Sequence, residues 1–434
     1  MQYRSTRGGT LPTSLSEAIL GGVAPDGGLY LPELIPTDDA GLLRPEMGLP
    51  AFAARLLAPF FAGDVLEGEL GAICAESFDF PVPLVTPDSA EPGLHALELF
   101  HGPTGAFKDF GARFLMGCFE RLGDRDTPLT VLAATSGDTG GAVGRAAEGL
   151  TKVRAVILYP KGRVSPFQEL QLTCWDDPIT AIEVDGDFDD CQRMVKAAFA
   201  DPALVAAHRL SSANSINICR WLPQMAYIAE ASVKLFETSG VKPGFVIPTG
   251  NLGHGFAALY ARAMGLPIGP IVLATNANRT LSQWAVTGTY APLASVATIA
   301  NAMDVGAPSN FERLIDLPTG LRELSVERVE DDAIAARIKA GHRAGYLWCP
   351  HSATAAEAWV RLDPETKAER PWVVAATAHP YKFADILEPL IGETIAPSPP
   401  LREILGRPAH KRMIDATPAA LARQLAALGE AAVA

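Results

Sequence analysis

The chain has 434 residues, 48% hydrophobic and 20% charged, which is enough for two or more domains and a substantial core. Its formal net charge of −13 argues against nonspecific nucleic-acid binding and against an anionic membrane surface. No apolar run is long enough to span a membrane, and the first residues lack the apolar core of a signal peptide, so we expect a cytosolic protein. Six cysteines without a C-x-x-C pair predict reduced, mostly buried thiols.

The first part of the chain is rich in glycine and proline turns. Short helices are predicted at 15–20 and 51–57, and Ser14 followed by Glu17 has the spacing of a capping box. We therefore predict a separate N-terminal layer over residues 1–95.

From about residue 96, apolar runs alternate with helical stretches, which is typical of a parallel sheet covered by helices. The predicted strands span residues 129–134, 153–159, 179–184, 245–248, 271–274 and 372–376. The predicted helices span residues 140–149, 189–200, 219–238, 255–265 and 417–434. Strands before and after the long helix at 219 predict an α/β fold of two open sheets with a cleft between them. We predict a small domain at 129–220 and a large domain formed by 96–128 and 221–434.

Lys108 is the first candidate for chemistry. It lies in the segment HGPTGAFKDFG at residues 101–111, between Phe107 and Phe110. Burial against apolar side chains lowers the pKa of a lysine, and its neutral amine can form a Schiff base with an aldehyde cofactor. The alternative is a surface lysine whose stem packs on the protein while its ammonium stays in water.

A glycine loop follows the predicted strand at 245–248. Gly250 and Gly253 permit close backbone approach, and the helix that starts there presents unpaired N–H groups. These features favour a phosphate site. The alternative is a plain turn that uses glycine for its backbone conformation.

A second loop, TSGDTGG at 135–141, follows the predicted strand at 129–134. Hydroxyl and N–H groups at a helix start suit a carboxylate. Ser136 or Asp138 as a helix N-cap is the simpler interpretation. Both interpretations can hold, because a cap and an anion site use the same N–H groups.

A third set of polar groups begins at Asn214. Together with Ser215 and Arg220 it combines an amide, a hydroxyl and a guanidinium near a helix start, a set that can surround a dianion. A capped helix with a surface arginine would explain the same residues. Lys161 and Arg163 are weaker candidates, because exposed loop cations are usually only solvated.

The remaining polar candidates have structural interpretations. The acidic run 185–190 imitates a calcium loop, but its sixth position is Asp190 rather than glycine and its twelfth is Lys196 rather than glutamate. We predict a turn that caps the next helix and no metal site. We expect four histidines to be hydrogen-bonded to the backbone: His101, His254, His351 and His379.

Taken together, these segments resemble the threonine synthase family, whose enzymes use pyridoxal 5'-phosphate (PLP) and share fold type II with tryptophan synthase β. The segment around Lys108 is similar to the family's HGPTxAFKDFG motif. Other segments resemble family signatures in family order: YRSTRG at 3–8, APDGGLY at 24–30, TSGDTG at 135–140, NSIN at 214–217, PTGN at 248–251, NAMD at 301–304 and TAHP at 377–380. The resemblance spans nearly the whole chain.

The resemblance implies a role for each candidate. Lys108 is implied to carry PLP and to transfer protons. The implied cofactor contacts are Gly250, Asn251, Leu252 and Gly253 at the phosphate, Thr377 at the pyridine nitrogen and Asp138 near the 3-hydroxyl. The implied substrate contacts are Ser136 and Thr139 at the α-carboxylate, and Asn214, Ser215 and Arg220 at the substrate phosphate.

Three anion sites around one lysine imply a small-molecule substrate with an amine, a carboxylate and a distal phosphate, as in O-phospho-L-homoserine. The expected reaction is γ-elimination of phosphate and β-hydration to L-threonine. The alternative is a PLP-dependent phospho-lyase that makes 2-oxobutyrate. A serine or threonine dehydratase has no substrate phosphate for Arg220 to bind, and intact Lys108 disfavours a scaffold protein. We expect a monomer or a homodimer.

Overall fold

The computed structural model describes residues 1–37 and 43–431. The chain begins with β1 (Tyr3–Ser5), α1 (Leu15–Gly21), β2 (Tyr30–Pro32), α2 (Leu49–Phe61) and α3 (Leu70–Ser77). β1 and β2 pair antiparallel. The predicted capping box is confirmed, because the Ser14 side chain accepts from the backbone of Glu17 while the Glu17 side chain accepts from that of Ser14. This part consists of short strands and helices joined by turns, as expected, while its separation as a layer over residues 1–95 stays a prediction.

The middle of the chain alternates strands and helices. Its elements are β3 (Leu84–Val85), β4 (Leu94–Glu98), α4 (Lys108–Leu122), β5 (Leu129–Ala134), α5 (Asp138–Ala147), β6 (Val153–Pro160), α6 (Pro166–Thr173), β7 (Ile179–Asp185), α7 (Phe188–Phe199), α8 (Pro202–His208) and β8 (Leu210–Ser212). Every residue of β5 is buried, as expected for a strand covered on both faces. The acidic run before α7 does cap that helix, because the Asp187 side chain accepts from the Asp190 backbone.

The remainder of the chain is also mixed helix and strand. Its elements are α9 (Ile218–Trp221), α10 (Gln224–Ser239), β9 (Gly244–Pro248), α11 (Gly253–Ala263), β10 (Ile271–Thr275), α12 (Thr280–Thr287), α13 (Phe311–Asp316), β11 (Ser325–Arg328), α14 (Asp331–Arg343), α15 (Pro350–Val360), α16 (Pro364–Ala368), β12 (Trp372–Ala376), α17 (Ala384–Ile391), α18 (Pro399–Leu405), β13 (Arg412–Asp415) and α19 (Pro418–Ala431). The end of the helix predicted at 417–434 lies outside the described residues.

Two larger sheets form from these strands within the described ranges. The first has the order β11-β10-β9-β12-β4-β3 and is parallel except for β3. The second has the order β13-β7-β6-β5-β8 and is parallel throughout. The predicted fold class, α/β with two open, parallel-rich sheets covered by helices, is confirmed.

The helix predicted at 219–238 is wrong as one continuous element. The structure divides it into α9 and α10 around Pro223. Proline has no backbone N–H to donate and its ring clashes with the preceding turn, so a helix is interrupted there.

The C-terminal segment returns to the second sheet. β13 pairs in parallel with β7, and α19 packs on α7. The prediction assigned this segment to the large domain. Its strand pairing instead favours grouping residues 412–431 with the second sheet, which belongs to the predicted small domain. The division into domains itself stays a proposal.

Two further properties concern the cysteines and the helices. All six cysteines are buried, as predicted, and carry free thiols. Within residues 1–37 and 43–431, no helix combines the length and the apolar character needed to cross a bilayer.

Phe114 provides a test of the packing between α4 and the N-terminal layer. It is fully buried in α4, and its ring centroid lies 5.9 Å from that of Phe61 in α2 and 6.5 Å from that of Phe78. We expect Phe114→Ala to lower the free energy of unfolding by about 3–5 kcal/mol, measured by urea denaturation, because it leaves a cavity in this contact. Leu11→Ala is the control, since Leu11 is 88% exposed. Equal losses in the two variants would contradict this packing.

Candidate active site

Loops from both sheets meet at one pocket between them. The predicted site residues lie in the loops that follow the carboxyl ends of the parallel strands β4, β5, β8, β9 and β12. Ligands bind at such ends in open parallel sheets. The predicted site residues that line the pocket are Lys108, Ser136, Asp138, Thr139, Asn214, Ser215, Gly250, Asn251 and Thr377. Leu252 and Gly253 continue the loop after Asn251, whereas Arg220 does not line the pocket.

A tight turn after β4 positions Lys108 as the first residue of α4. The buried Asp109 carboxylate accepts from the Thr104 backbone N–H at 2.9 Å and from the Thr104 hydroxyl at 2.6 Å, which closes the turn. The Phe107 N–H donates to the Thr377 carbonyl at 2.9 Å. Lys108 is thereby held beside the end of β12.

The Lys108 amine is tuned by its surroundings. Burial lowers the pKa of Lys108 to about 8, the Arg220 guanidinium adds to this lowering, and Asp138 opposes it. The Nζ atom lies 4.3 Å from the centroid of the Phe107 ring and has no ion-pair partner among the described residues. About a tenth of this amine is therefore neutral, and nucleophilic, at pH 7, far more than for a solvated lysine.

The glycine loop forms the start of α11. Leu252, the N-cap, has φ +65°, a left-handed conformation rare for leucine, and its side chain is buried. The loop is braced by Asn310, whose backbone N–H and side-chain amide both donate to the Asn251 carbonyl, at 3.2 and 2.9 Å. Strain retained by such bracing is common at ligand sites. The unpaired N–H groups of the first turn of α11 are suited to a phosphate.

The second loop lies at the start of α5, and its predicted cap is wrong. The N-cap is Gly137, which has φ 137°, and neither Ser136 nor Asp138 caps the helix. The Thr135 hydroxyl instead accepts from the N–H groups of Gly137 and Gly140, both at 3.0 Å. Ser136 therefore keeps its hydroxyl at the pocket wall and free of capping.

Asp138 is the buried anion of the pocket. It accepts from the Gln168 side-chain amide at 3.0 Å and lies 3.2 Å from Lys382 Nζ. Burial alone would raise the pKa of Asp138, but Lys382, then His351, then the hydrogen bonds from Gln168 and Lys382 together lower it. The carboxylate therefore stays ionised at neutral pH.

The third polar set is only partly gathered at the pocket. The Asn214 side chain bridges the backbone of Ala134, with its amide donating at 2.7 Å and its oxygen accepting at 3.1 Å. Arg220 is buried behind the pocket, where it donates to the Ala213 carbonyl while its Nε has no partner within the described residues. Burial lowers the pKa of Arg220 to about 10. The expected surface arginine is thus wrong, and contact with a substrate phosphate stays a prediction.

The histidines divide into two groups. His351 and His379 accept from the backbone of Ala302 and Tyr381, at 3.0 and 3.1 Å, as predicted. His101 instead pairs with the Glu98 carboxylate, and both ring nitrogens of His254 are buried without a partner in the described part of the chain. The backbone prediction is therefore wrong for these two residues.

Sequence reasoning missed several positioning residues. Among them is Arg313, fully buried, which donates to the carbonyls of Ser215 at 3.2 Å and Ile216 at 2.6 Å. Nothing in the sequence near Arg313 indicated this burial, because the backbone groups that it contacts are remote along the chain. The weaker candidates Lys161 and Arg163 are exposed and do not line the pocket.

Comparisons with known proteins agree with the fold and the pocket. A family model described as "Pyridoxal-phosphate dependent enzyme" matches residues 80–378, and one described as "Threonine synthase N terminus" matches residues 2–78. The fold and the pocket therefore define a pyridoxal-phosphate-dependent enzyme of fold type II.

Within that class, the chain belongs to the threonine synthase family. It is 38% identical over 383 residues to the threonine synthase of Haemophilus influenzae, covering 87% of this chain and 88% of the relative. The crystal structure of Escherichia coli threonine synthase superposes with a TM-score of 0.91 at 34% identity, covering 98% of this chain and 100% of that one. The PLP-bound threonine synthase of Brucella melitensis gives a TM-score of 0.88 at 32% identity and 99% coverage of each chain.

The lowered pKa of Lys108 can be measured directly. In protein freed of cofactor, we expect the acylation rate of Lys108, followed by peptide mass spectrometry, to rise with pH through a midpoint near 8. Arg220→Met should move this midpoint upward, because a neighbouring like charge is removed. Arg163→Met is the control and should leave it in place. A midpoint above 10 would show an ordinary solvated lysine.

Proposed function

We propose that this enzyme converts O-phospho-L-homoserine and water to L-threonine and phosphate. One observation carries the proposal: the tuned amine of Lys108 shares a pocket with the N–H groups that begin α11 and the hydroxyls that begin α5. The Lys108 amine and the α11 N–H groups match PLP, and the α5 hydroxyls match the substrate carboxylate. Asn214 and Ser215, which also line the pocket, leave a third site for the substrate phosphate. Membership of the threonine synthase family supports the same reaction.

The residues present fit PLP. Lys108 offers a partly neutral amine with no ion-pair partner in the described chain. The strained loop at Leu252 presents the N–H groups of α11, with Gly250, Asn251 and Gly253, for the cofactor phosphate. The Thr377 hydroxyl, which lines the pocket and makes no hydrogen bond to the described residues, would partner the pyridine nitrogen. Asp138 would lie near the 3-hydroxyl. When bound, PLP supplies an electron sink for carbanionic character in the substrate.

The substrate would be held at its two ends. Ser136 and Thr139, at the positive end of the α5 dipole, would bind the α-carboxylate. Asn214 and Ser215 also line the pocket and would contact the phosphate, with the Arg220 guanidinium bonded to the neighbouring Ala213 carbonyl. Contacts at both ends would orient the carbon chain of the substrate at Lys108.

Lys108 would perform the proton transfers. Its neutral Nζ accepts the proton from Cα and returns protons at later steps, and a pKa near 8 suits both directions at neutral pH. In the overall reaction Cβ gives up one proton, the Cγ–O bond breaks with its electron pair leaving on the phosphate, and Cγ gains a proton. Water then adds its hydroxyl to Cβ while its remaining proton goes to the departed phosphate, and Cα is reprotonated. Phosphate retained near Arg220 would assist as a base.

The alternative, a phospho-lyase, differs only in omitting the addition of water at Cβ and would give 2-oxobutyrate, ammonia and phosphate. Product analysis separates the two reactions.

The location, the partners and the oligomeric state of the enzyme are also proposals. A cytosolic location is supported by the six buried free thiols. The net charge of −13 supports the absence of a nucleic-acid partner. We propose a monomer or a homodimer.

Lys108→Ala tests the core of the proposal. We expect borohydride to label Lys108 in the holoenzyme, and the variant to lose label and to lose turnover of O-phosphohomoserine by at least about 1,000-fold, since nucleophile and proton carrier are removed together. Phosphate and threonine should appear in equal amounts in the unsubstituted enzyme, and Lys161→Ala, an exposed control, should match it. Phosphate release with 2-oxobutyrate instead of threonine would establish the phospho-lyase.

Arg220→Gln tests the substrate phosphate site. Losing a charge-assisted contact should raise KM for O-phosphohomoserine about 10- to 100-fold, measured by steady-state kinetics. If the retained phosphate also acts as a base, kcat should fall too. Undiminished affinity with full turnover would remove Arg220 from the phosphate site and from the base hypothesis.

A further inference from the structure

Lys382 is a buried cation with no role in the sequence analysis. It lies in the 3-10 turn Pro380–Phe383 after β12, and it is 1% exposed. Its Nζ donates to the Thr104 carbonyl at 2.8 Å and to the Gln171 side chain, and it lies 3.2 Å from Asp138 Oδ1. One ammonium thus joins the turn that leads to Lys108, helix α6 and the first residue of α5.

These contacts cross between the two sheets. Lys382 follows a strand of the first sheet, whereas Asp138 and Gln171 belong to helices that connect strands of the second. The link is reinforced by Ser165, whose hydroxyl donates to the Lys382 carbonyl at 3.0 Å. The position of the α5 loop relative to Lys108 therefore depends on Lys382.

The charge of Lys382 matters as well as its hydrogen bonds. Asp138 and Lys382 are both buried, and either one alone would be an uncompensated charge in a poorly solvating interior. Other charged or titratable groups face the pair from the elements packed around it: Lys108 and Asp109 in α4, Cys349 and His351 at the start of α15, and His379 just before the turn of Lys382. Lys382, rather than any of these groups, forms the ion pair with Asp138.

We propose that Lys382 is a positioning residue for the reaction: it keeps the Asp138 carboxylate ionised and fixed at the pocket wall that faces Lys108. If Lys382 only filled space, neither stability nor turnover would depend on its ammonium or on the Asp138 carboxylate. The consequence for catalysis rests on the proposed function, whereas the charge compensation does not.

The compensation is tested on protein freed of cofactor by a thermal-unfolding cycle of Lys382→Met, Asp138→Asn and the double variant. Each single variant leaves one buried charge unpaired and should lower Tm on the order of 5 °C. The double variant should recover at least half of that loss. Losses that simply add in the double variant would overturn the proposal.

The pH dependence of Lys382→Met gives a second test. Without the ammonium of Lys382, the buried carboxyl of Asp138 is better accommodated with its proton, so the folded protein binds that proton more tightly than the unfolded chain. Relative to the unsubstituted protein, Tm should therefore fall as pH rises from 5.5 to 8. If Lys382→Met is insoluble, the double variant and Asp138→Asn decide: a Tm no higher in the double variant than in Asp138→Asn would overturn the proposal.

Kinetics of the holoenzyme complete the test. Lys382→Met should lower kcat about 100-fold while KM changes less than about threefold, because a displaced group misaligns the reaction rather than removing a substrate contact. Lys161→Met, whose ion pair with Asp185 is exposed, is the matched control and should leave Tm and kcat unchanged. If the unsubstituted enzyme does not turn over O-phosphohomoserine, the proposed function fails, while the unfolding cycle still decides whether Lys382 compensates Asp138.

Discussion

The rest of the active site depends on the burial of the Lys108 amine, because the surrounding residues set the charge state of a group that is largely removed from bulk water. Burial and the Arg220 charge lower its pKa, and a nearby carboxylate, Asp138, limits the lowering. That carboxylate is itself buried and would not stay ionised alone, so it requires the ammonium of Lys382. The reactivity of one amine therefore depends on a series of buried charges, each compensated by the next.

The rigid part of the molecule holds this series in place. Apolar parallel strands end together at one edge of each sheet, and the polar loops that leave those ends inherit their positions from the strands. Loops alone would not hold Leu252 at φ +65°; the buried side chain of Leu252 and the hydrogen bonds from Asn310 to Asn251 do so. Stability is thereby concentrated in the strands and chemistry in the loops.

The sequence was sufficient for the six predicted parallel strands and for many of the residues that line the pocket, because both are local patterns: an apolar run followed by a glycine or hydroxyl motif. It did not indicate β4 and β8, although the loops that follow them carry Lys108 and Asn214. It was insufficient wherever a partner is remote. Lys382 and Thr104 are 278 residues apart, so nothing near Lys382 indicated its burial. The cap of α5 was misassigned because Gly137, at φ 137°, turns the backbone so that Thr135 reaches the N–H groups instead.

The short strand β13 protects the second sheet from association with other molecules. Without it, the outer side of β7 would present unpaired N–H and C=O groups, a template onto which a strand from another chain can add. β13 occupies that position and carries the exposed, charged residues Arg412 and Asp415. A chain ending before residue 412 would keep every residue that lines the pocket but would expose the edge of β7. We therefore expect such a chain to aggregate rather than to lose its active-site residues.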